Sequence, residues 1–172
     1  MYHFTSKKKW NNITRIGKLT PGTIIESFRK GYNPQCFTEK TKLVCRAKRY
    51  TVGFPEPYHK GWVKYGLWDE LFRLIECEVL LKLKIPENTK GFVREHAFCS
   101  PKAMKEKYGE DIYFLAYRRK IDVRDPRIQE SLINYLNSVV PLREYEENYI
   151  VPEIWIPEEI SLSNIEEIPF QR

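Results

Sequence analysis

The chain has 172 residues, of which 42% are hydrophobic and 14% aromatic. A chain of this length fits one domain and buries roughly 70% of the surface that it exposes when unfolded, so its core needs no disulfide or metal. No apolar run approaches the ~20 residues of a membrane span, and the opening MYHFTSKKKW reverses the charge order of a secretory leader. These features predict one soluble, cytoplasmic domain, 1–172, that does not bind membranes.

The net charge of +6 conceals a gradient along the chain. Residues 1–60 carry 13 Lys and Arg against 3 Asp and Glu, residues 61–140 carry 14 against 12, and residues 141–172 carry 2 against 8. A basic front end is typical of proteins that bind a polyanion, a nucleotide or a phosphorylated substrate, although a solvated basic face fits equally well. The spacing of the four cysteines matches no zinc or redox motif, and we interpret Cys77 as a small core residue.

Hydrophobic periodicity predicts the elements of the first half in chain order. Residues 2–5 form a strand, residues 7–16 form a helix that stops at Gly17, and residues 20–31 form a second helix behind a Thr-Pro start. Residues 43–54 form a basic strand, and residues 67–75 have helical spacing.

The second half contains the clearest half-buried strand, the alternating stretch 77–85. The continuous apolar run 112–117 predicts a central strand that is buried on both faces. The other predicted elements are a strand from 92, helices over 101–109 and 128–139, and a strand over 150–156 that Pro152 interrupts. Because strands and helices do not alternate regularly, the expected fold class is α+β, with a mostly antiparallel or mixed sheet and flanking helices.

Two groups near the N-terminus are candidates for ligand binding. On a strand, His3 and Thr5 share one face, where they could bind vicinal hydroxyls or an amide; a satisfied histidine near an exposed terminus is the alternative. Lys7, Lys8 and Lys9 begin a predicted helix, where cations oppose the helix dipole. Free amides and lysines there would receive a pyrophosphate or a nucleic-acid backbone, and lysines that simply point into solvent are the other interpretation.

A carboxylate near the C-terminus is the third candidate. On a strand, Glu153 shares a face with Trp155, and the aromatic surface would desolvate the carboxylate and raise its pKa. An exposed glutamate in an acidic tail is the alternative interpretation. Arg94 and His96, at alternate positions of a predicted strand, form a possible phosphate or substrate contact.

A cluster of rings lies around residues 50–62. Tyr50, Phe54 and Tyr58 lie close to two prolines and could stack a nicotinamide or a base, or could form a small core under a loop. The chain has no glycine-rich phosphate loop, GxSxG elbow, HExxH or CxxC pair, which argues against P-loop NTPases, α/β-hydrolases and zinc peptidases.

The two ends of the chain resemble the ADP-ribosyltransferase superfamily. The opening Tyr2-His3-Phe4-Thr5-Ser6, followed by a helix and Gly17, is similar to the first strand of its histidine-type members. The closing Val151-Pro152-Glu153-Ile154-Trp155-Ile156 is similar to the late strand that carries the glutamate of the family, above all in DNA-modifying toxins of the small prokaryotic, viral and toxin-like branches.

This resemblance implies a split mixed or antiparallel sheet with NAD in the cleft between its halves. His3 would bind the ribose with support from Thr5, one of Tyr50, Phe54 or Tyr58 would stack on nicotinamide, and Lys7 and Lys8 would face the cofactor phosphates. Glu153 would hold the ribose 2′-hydroxyl and stabilise the charge that develops as nicotinamide leaves. Substrate contacts would fall to three basic side chains, namely Arg46, Arg94 and His96.

The resemblance leaves the acceptor open, as either a nucleic acid or a protein. An RNA 2′-phosphotransferase of the same fold, which also consumes NAD, is the first alternative and needs further basic residues near the cleft, for which Arg94 or Arg46 would serve. A basic nucleic-acid-binding module without enzymatic activity is the second. A protein that binds an acidic partner is the third.

Overall fold

A computed structural model describes residues 1–24, 38–39, 49–57, 64–65, 77–118, 120–122 and 124–169. The strands of these ranges are β1 Tyr2–Thr5, β2 Lys18–Leu19, β3 Thr23–Ile24, β4 Arg49–Gly53, β5 Val79–Leu83, β6 Phe92–Glu95, β7 Val140–Pro141, β8 Pro152–Ile156, β9 Ile160–Ser161 and β10 Ile165–Ile168. The α-helices are α1 Lys7–Ile16, α2 Pro101–Tyr108, α3 Ile112–Tyr117 and α4 Pro126–Asn137. Short 3-10 turns occupy His96–Cys99, Leu142–Glu144 and Leu162–Asn164.

The helix ends follow from side chains at the ends themselves. The hydroxyls of Ser6 and Ser100 accept a backbone N–H at the starts of α1 and α2, and the Asp125 carboxylate does the same for α4. Gly17 and Gly109 end α1 and α2 in the left-handed conformation, each with a φ of 78°. This conformation strains residues that carry a Cβ, so both stops are encoded by glycine.

The strands form two main antiparallel sheets that meet at β1. The smaller sheet has the order β10-β5-β1, and the larger has the order β3-β4-β8-β6-β7. The sheets are joined where Tyr2 pairs with Phe54, through backbone N–O distances of 2.7 and 2.8 Å. A Cβ on Gly53 would lie 2.5 Å from the carbonyl oxygen of Tyr2, so this close approach requires glycine. The fold is therefore α+β, with its two main antiparallel sheets joined at β1 and the end of β4.

Each face of the larger sheet is covered by a different element. Helix α4 packs its apolar side, including Leu132 and Leu136, against the face that bears Tyr50 and Trp155. The opposite face packs against the smaller sheet, through side chains such as Ile154 on β8. A third cluster, formed by Phe4, Phe54, Cys77, Leu80, Ala97 and Val151, fills the region where the sheets join.

The acidic tail lies against the basic first helix and the strand that follows it. Strands β9 and β10 pair with β2 and β5. Lys18 forms a 2.8 Å ion pair with Glu159, and the indole of Trp10 donates to Glu167 at 2.6 Å. The opposite charges of the two ends thus meet on one side of the protein, although surface ion pairs of this kind contribute only about 0–1 kcal/mol.

Most of the predicted elements are confirmed within the described ranges. Strand β1, helix α1, the alternating strand β5, helices α2 and α4 and strand β8 occur where the periodicity placed them, and Cys77 is buried as expected. In the described part of the chain, no helix is long and apolar enough to cross a membrane. The helix predicted over 67–75 lies outside the described residues.

Two predictions of secondary structure are wrong. The apolar run 112–117 is helix α3 and not a central strand. Ile112 is buried in the cluster that includes residues of α4, while Phe114 and Leu115 are only partly buried. The run is therefore not buried on both sides as a central strand would be. The helix predicted from residue 20 fails at its start, because Thr23–Ile24 pairs with β4 as a strand; the rest of that prediction, from residue 25, lies outside the described residues.

Candidate functional site

Strand β8 places Glu153 on the face of the larger sheet that α4 covers. Glu153 and Trp155 alternate to this face, as the sequence predicted, and Arg94 of β6 is the cross-strand partner of Glu153. Directly opposed side chains in an antiparallel pair have Cβ atoms about 4.5–5.5 Å apart. We call the group formed by Glu153, Arg94, His96, Tyr135 and Trp155 the Glu153 cluster.

The carboxylate of Glu153 is 7% exposed and is held by two neutral donors. The Tyr135 hydroxyl and the Trp155 indole, the latter at 2.9 Å, both donate to its Oε2 atom. The Nδ1 atom of His96 lies 3.6 Å from the Oε1 atom, which makes an ion pair when the imidazole is protonated. Both oxygens of the carboxylate therefore have defined neighbours, and the group is fixed in place.

The pKa of Glu153 lies below its ordinary value of 4.5, which corrects the raised pKa expected from the sequence. Burial raises the pKa, as predicted, but the charge of His96 and the hydrogen bonds from Tyr135 and Trp155 lower it by more. Burial and the nearby Glu153 charge raise the pKa of Tyr135 well above 10, so its hydroxyl keeps the donated proton. The cluster thus presents an ionised carboxylate at neutral pH.

Arg94 is the most deeply buried charged side chain of the cluster, with 0% exposure. Its guanidinium carbon lies 4.7 Å from the centre of the Trp155 ring and 5.4 Å from that of Tyr135. None of its three nitrogen atoms has a hydrogen-bond partner among the described residues. Contacts with two ring faces favour a cation but leave its N–H groups unbonded.

A second carboxylate, that of Glu95, fixes the backbone around the cluster. It accepts hydrogen bonds from the backbone N–H groups of Ala97, Ile150 and Val151 at 3.0, 2.5 and 2.9 Å. These bonds join the turn that carries His96 to the segment that enters β8. No sequence pattern singles out Glu95, because its role depends on a segment 55 residues away in the chain.

His3 and Thr5 do not join the Glu153 cluster. His3 and Thr5 pair with Leu81 and Val79 of β5 and share a face with them. Because Tyr2 pairs with Phe54, and β4 pairs in turn with β8, the alternation of side chains puts this face opposite the one that bears Glu153. The Nδ1 atom of His3 is 2.7 Å from the carbonyl oxygen of Val52 on β4. Burial lowers the pKa of His3, so the neutral ring donates its Nδ1 proton to this carbonyl.

Lys7 and Lys8 are exposed at the start of α1, where two of the backbone amides already have partners. The backbone N–H of Lys7 donates to the carboxylate of Glu78 at 2.9 Å, and that of Lys9 donates to Ser6 at 3.3 Å. Glu78 supplies the negative charge that the helix N-terminus favours. Two amides of the expected pyrophosphate receptor therefore already have partners, and a phosphate contact from Lys7 and Lys8 stays a prediction.

The predicted aromatic residues separate into two places. Tyr50 is fully buried and meets the Trp155 ring edge-on, with the centroids 5.5 Å apart, so it borders the Glu153 cluster. Phe54 packs instead with Phe4 where the sheets join. Tyr58 and Arg46 lie outside the described residues.

Three predicted residues, Glu153, Arg94 and His96, are therefore brought together. Strand β6 ends at Glu95, so a 3-10 turn, and not the expected strand alternation, turns His96 towards Glu153. Tyr135 completes the cluster from α4, and the sequence marked it only as an apolar position of a helix. Comparison with protein-family models, with curated proteins and with solved structures finds no match to this chain.

Proposed function

We propose that the chain is an NAD-dependent ADP-ribosyltransferase that modifies a macromolecule, with Glu153 as its catalytic carboxylate. The ionised and nearly buried Glu153, held by Tyr135 and Trp155, is the observation that carries this proposal. NAD supplies an ADP-ribosyl group whose anomeric carbon becomes electron-poor when nicotinamide leaves. A fixed anion in a site with little water stabilises such a charge far better than an exposed carboxylate does.

His96 is placed to act on the acceptor. It is the most accessible of the ionisable side chains around Glu153, with 14% of its side chain exposed against 9% for Glu153. A neutral imidazole here accepts a proton from an incoming hydroxyl or amine, and the neighbouring carboxylate then stabilises the imidazolium. Glu153 can itself serve as the base, so the two side chains offer alternative routes for the same proton.

His3 and Glu153 lie on opposite sides of the joined strands, so the proposed cofactor site rests on the Glu153 cluster and not on His3. Strand β4 lies between β1, which carries His3, and β8, which carries Glu153. Two strand spacings, about 10 Å, separate the outer strands. A ribose contact from His3 remains a prediction, and it would use the Nε2 atom because Nδ1 donates to the carbonyl of Val52. The unbonded guanidinium of Arg94 is chemically suited to the phosphates of NAD.

The acceptor is proposed to be a nucleic acid or a protein. Lys7, Lys8 and Lys9 are exposed on one end of α1 and carry positive charge that attracts a polyanion. A nucleic acid therefore has an electrostatic route to this protein, whereas a protein acceptor would need an acidic surface.

Transfer of radiolabelled ADP-ribose tests the proposal. Purified wild type is incubated with NAD labelled in its adenylate half and, separately, with DNA, RNA or a cell lysate. We expect label in one acceptor class and at least a hundredfold less with Glu153→Gln, because the amide keeps the size of the side chain but removes its charge. The exposed Glu146→Gln is the matched control and should retain full activity. Absence of both NAD binding and label with folded wild type would refute the proposal.

One observation favours a second candidate, an RNA 2′-phosphotransferase that consumes NAD. Arg94 and His96 beside Glu153 supply basic groups of the kind that this reaction needs. RNA with a labelled internal 2′-phosphate separates the candidates, because only this activity moves the label from RNA to a product derived from NAD. A module that merely binds nucleic acid would show neither reaction, and its affinity would fall steeply with salt.

A further inference from the structure

Arg94 carries a feature that the packing of the fold does not explain. The side chain is fully buried, yet none of its three nitrogen atoms has a hydrogen-bond partner in the described ranges. Buried arginines are ordinarily paired, because leaving a charge and its donors without partners is strongly unfavourable. We propose that Arg94 binds a phosphate group of a ligand next to Glu153.

Glu153 does not fill this role, although it is the cross-strand neighbour of Arg94. The Oε2 atom of Glu153 accepts from Tyr135 and Trp155, and its Oε1 atom faces His96. Arg94 forms no ion pair with this carboxylate in the described structure. The five N–H donors of the guanidinium therefore remain for a different anion.

The chemistry of the guanidinium selects the ligand. Its planar fork matches two oxygens of one phosphate, and the bonds are charge-assisted. Its contacts with the rings of Trp155 and Tyr135 are cation–π contacts, and none of its nitrogen atoms is hydrogen-bonded in the described ranges. Exposure decreases from His96 to Glu153 and then to Arg94, so His96 is the member of this group nearest to solvent.

This inference deepens the proposed function and rests on it for the source of the phosphate. Two sources have the same chemistry, the pyrophosphate of NAD and the backbone of a nucleic-acid acceptor. Either would lie within one side-chain length of Glu153. Binding itself is measurable without turnover, so the phosphate site can be tested independently of the transfer reaction.

The experiment compares Arg94→Met and Arg94→Lys with Arg143→Met, an exposed control with the same change of charge. Thermal unfolding is followed in ligand-free buffer and in inorganic pyrophosphate. Methionine fills the apolar space without an unpaired charge, so we expect Arg94→Met to unfold at a higher temperature than wild type without ligand. Pyrophosphate should raise the midpoint of wild type and Arg143→Met, raise that of Arg94→Lys less, and leave that of Arg94→Met unchanged.

Calorimetric titration then identifies the source. Should NAD supply the phosphate, Arg94→Met weakens NAD binding about 10- to 100-fold and leaves binding of a short single-stranded oligonucleotide unchanged. If the acceptor supplies the phosphate, Arg94→Met weakens oligonucleotide binding by that factor and leaves NAD binding unchanged. Arg94→Lys keeps the charge without the planar fork, so it should lose an intermediate amount of affinity for the same ligand. This variant replaces Arg94→Met in the comparison if the methionine variant does not fold.

Equal responses of wild type, Arg94→Met and Arg94→Lys to pyrophosphate, NAD and oligonucleotide would overturn the inference. The proposed function fails separately. If both Arg94 variants keep wild-type transfer activity and wild-type responses to pyrophosphate, NAD and oligonucleotide, the phosphate site is refuted and the proposed enzyme activity stands. If pyrophosphate binding depends on Arg94 but the protein shows no NAD turnover, the phosphate site stands and the proposed enzyme activity is refuted.

Discussion

Replacing Glu95 with glutamine is predicted to destabilise the protein more than any surface substitution does. The Glu95 carboxylate is 7% exposed and accepts three backbone N–H bonds, from Ala97, Ile150 and Val151. Glutamine keeps the shape of the side chain but turns one oxygen into an N–H donor. In the orientation that keeps Oε1, this donor faces the N–H of Ile150, while the other two bonds lose the negative charge.

The size of the effect follows from those three bonds. A hydrogen bond to a charged group contributes about 1.5–3 kcal/mol, and charge-assisted bonds are roughly twice as strong as neutral ones. Loss of one bond and weakening of two therefore lower the free energy of unfolding by about 3–5 kcal/mol. For a protein of this length, 1 kcal/mol corresponds to about 2–4 °C in Tm, so we expect a decrease of roughly 6–20 °C.

Urea unfolding at pH 7, followed by circular dichroism and tryptophan fluorescence, measures this change. The exposed Glu146→Gln is the matched control and should stay within about 0.5 kcal/mol of wild type. A Glu95→Gln variant as stable as that control, with an unchanged dependence on urea, would refute the reasoning that this carboxylate joins the turn after β6 to the entry of β8.

Three further substitutions test the site, the His3 ring and the junction of the two sheets. Tyr135→Phe removes a hydrogen-bond donor from Glu153, so the free energy of unfolding in urea should decrease by about 1.5–3 kcal/mol. NMR titration should also show a raised pKa for the Glu153 carboxyl, and an unchanged pKa would contradict the assigned hydrogen bond. Burial lowers the pKa of His3, so the unfolded chain binds more protons than the folded one below pH 7. The free energy of unfolding of wild type should therefore fall as pH decreases through about 6.5, and His3→Gln should flatten this dependence. Equal pH dependence in the two proteins would exclude a neutral His3 ring. Gly53→Ala should lower Tm by several degrees because its Cβ would lie 2.5 Å from a carbonyl oxygen of β1, whereas Gly22→Ala has space and should not; equal Tm values would contradict the close junction of the sheets.

The elements with local signals could be predicted from the sequence. The serines and glycines that begin and end α1 and α2 lie at the positions expected from cap chemistry. The alternation of strand β5 and the shared face of Glu153 and Trp155 follow directly from a period of two residues. Such features need no knowledge of the rest of the chain.

Features that depend on tertiary contacts could not be predicted in this way. The run 112–117 is equally apolar as a strand or a helix, and packing on α4 decides for the helix. The pKa of Glu153 was expected to rise because Trp155 was the only neighbour visible in the sequence. The decrease comes first from His96 on another element, and then from the hydrogen bonds of Tyr135, 18 residues away, and of Trp155 itself.

The site itself was predicted only in part. Glu153, Arg94 and His96 come together as separate candidates from two parts of the chain. His3 was expected beside Glu153 because the resemblance joins the two ends, but the alternation of β1 and β4 directs its side chain to the other face. Sequence spacing alone does not reveal on which face of the joined sheets the side chains of two distant strands will lie.

A crystal structure of the Glu153→Gln protein with NAD tests the central claim most directly, because turnover is impaired while the shape of the site is kept. We expect the nicotinamide ribose within about 3.2 Å of the side-chain amide introduced at position 153, on the face of the sheet that α4 covers. NAD bound at a surface away from β8, or no NAD density at saturating concentration, would contradict the assignment of Glu153 as the catalytic carboxylate.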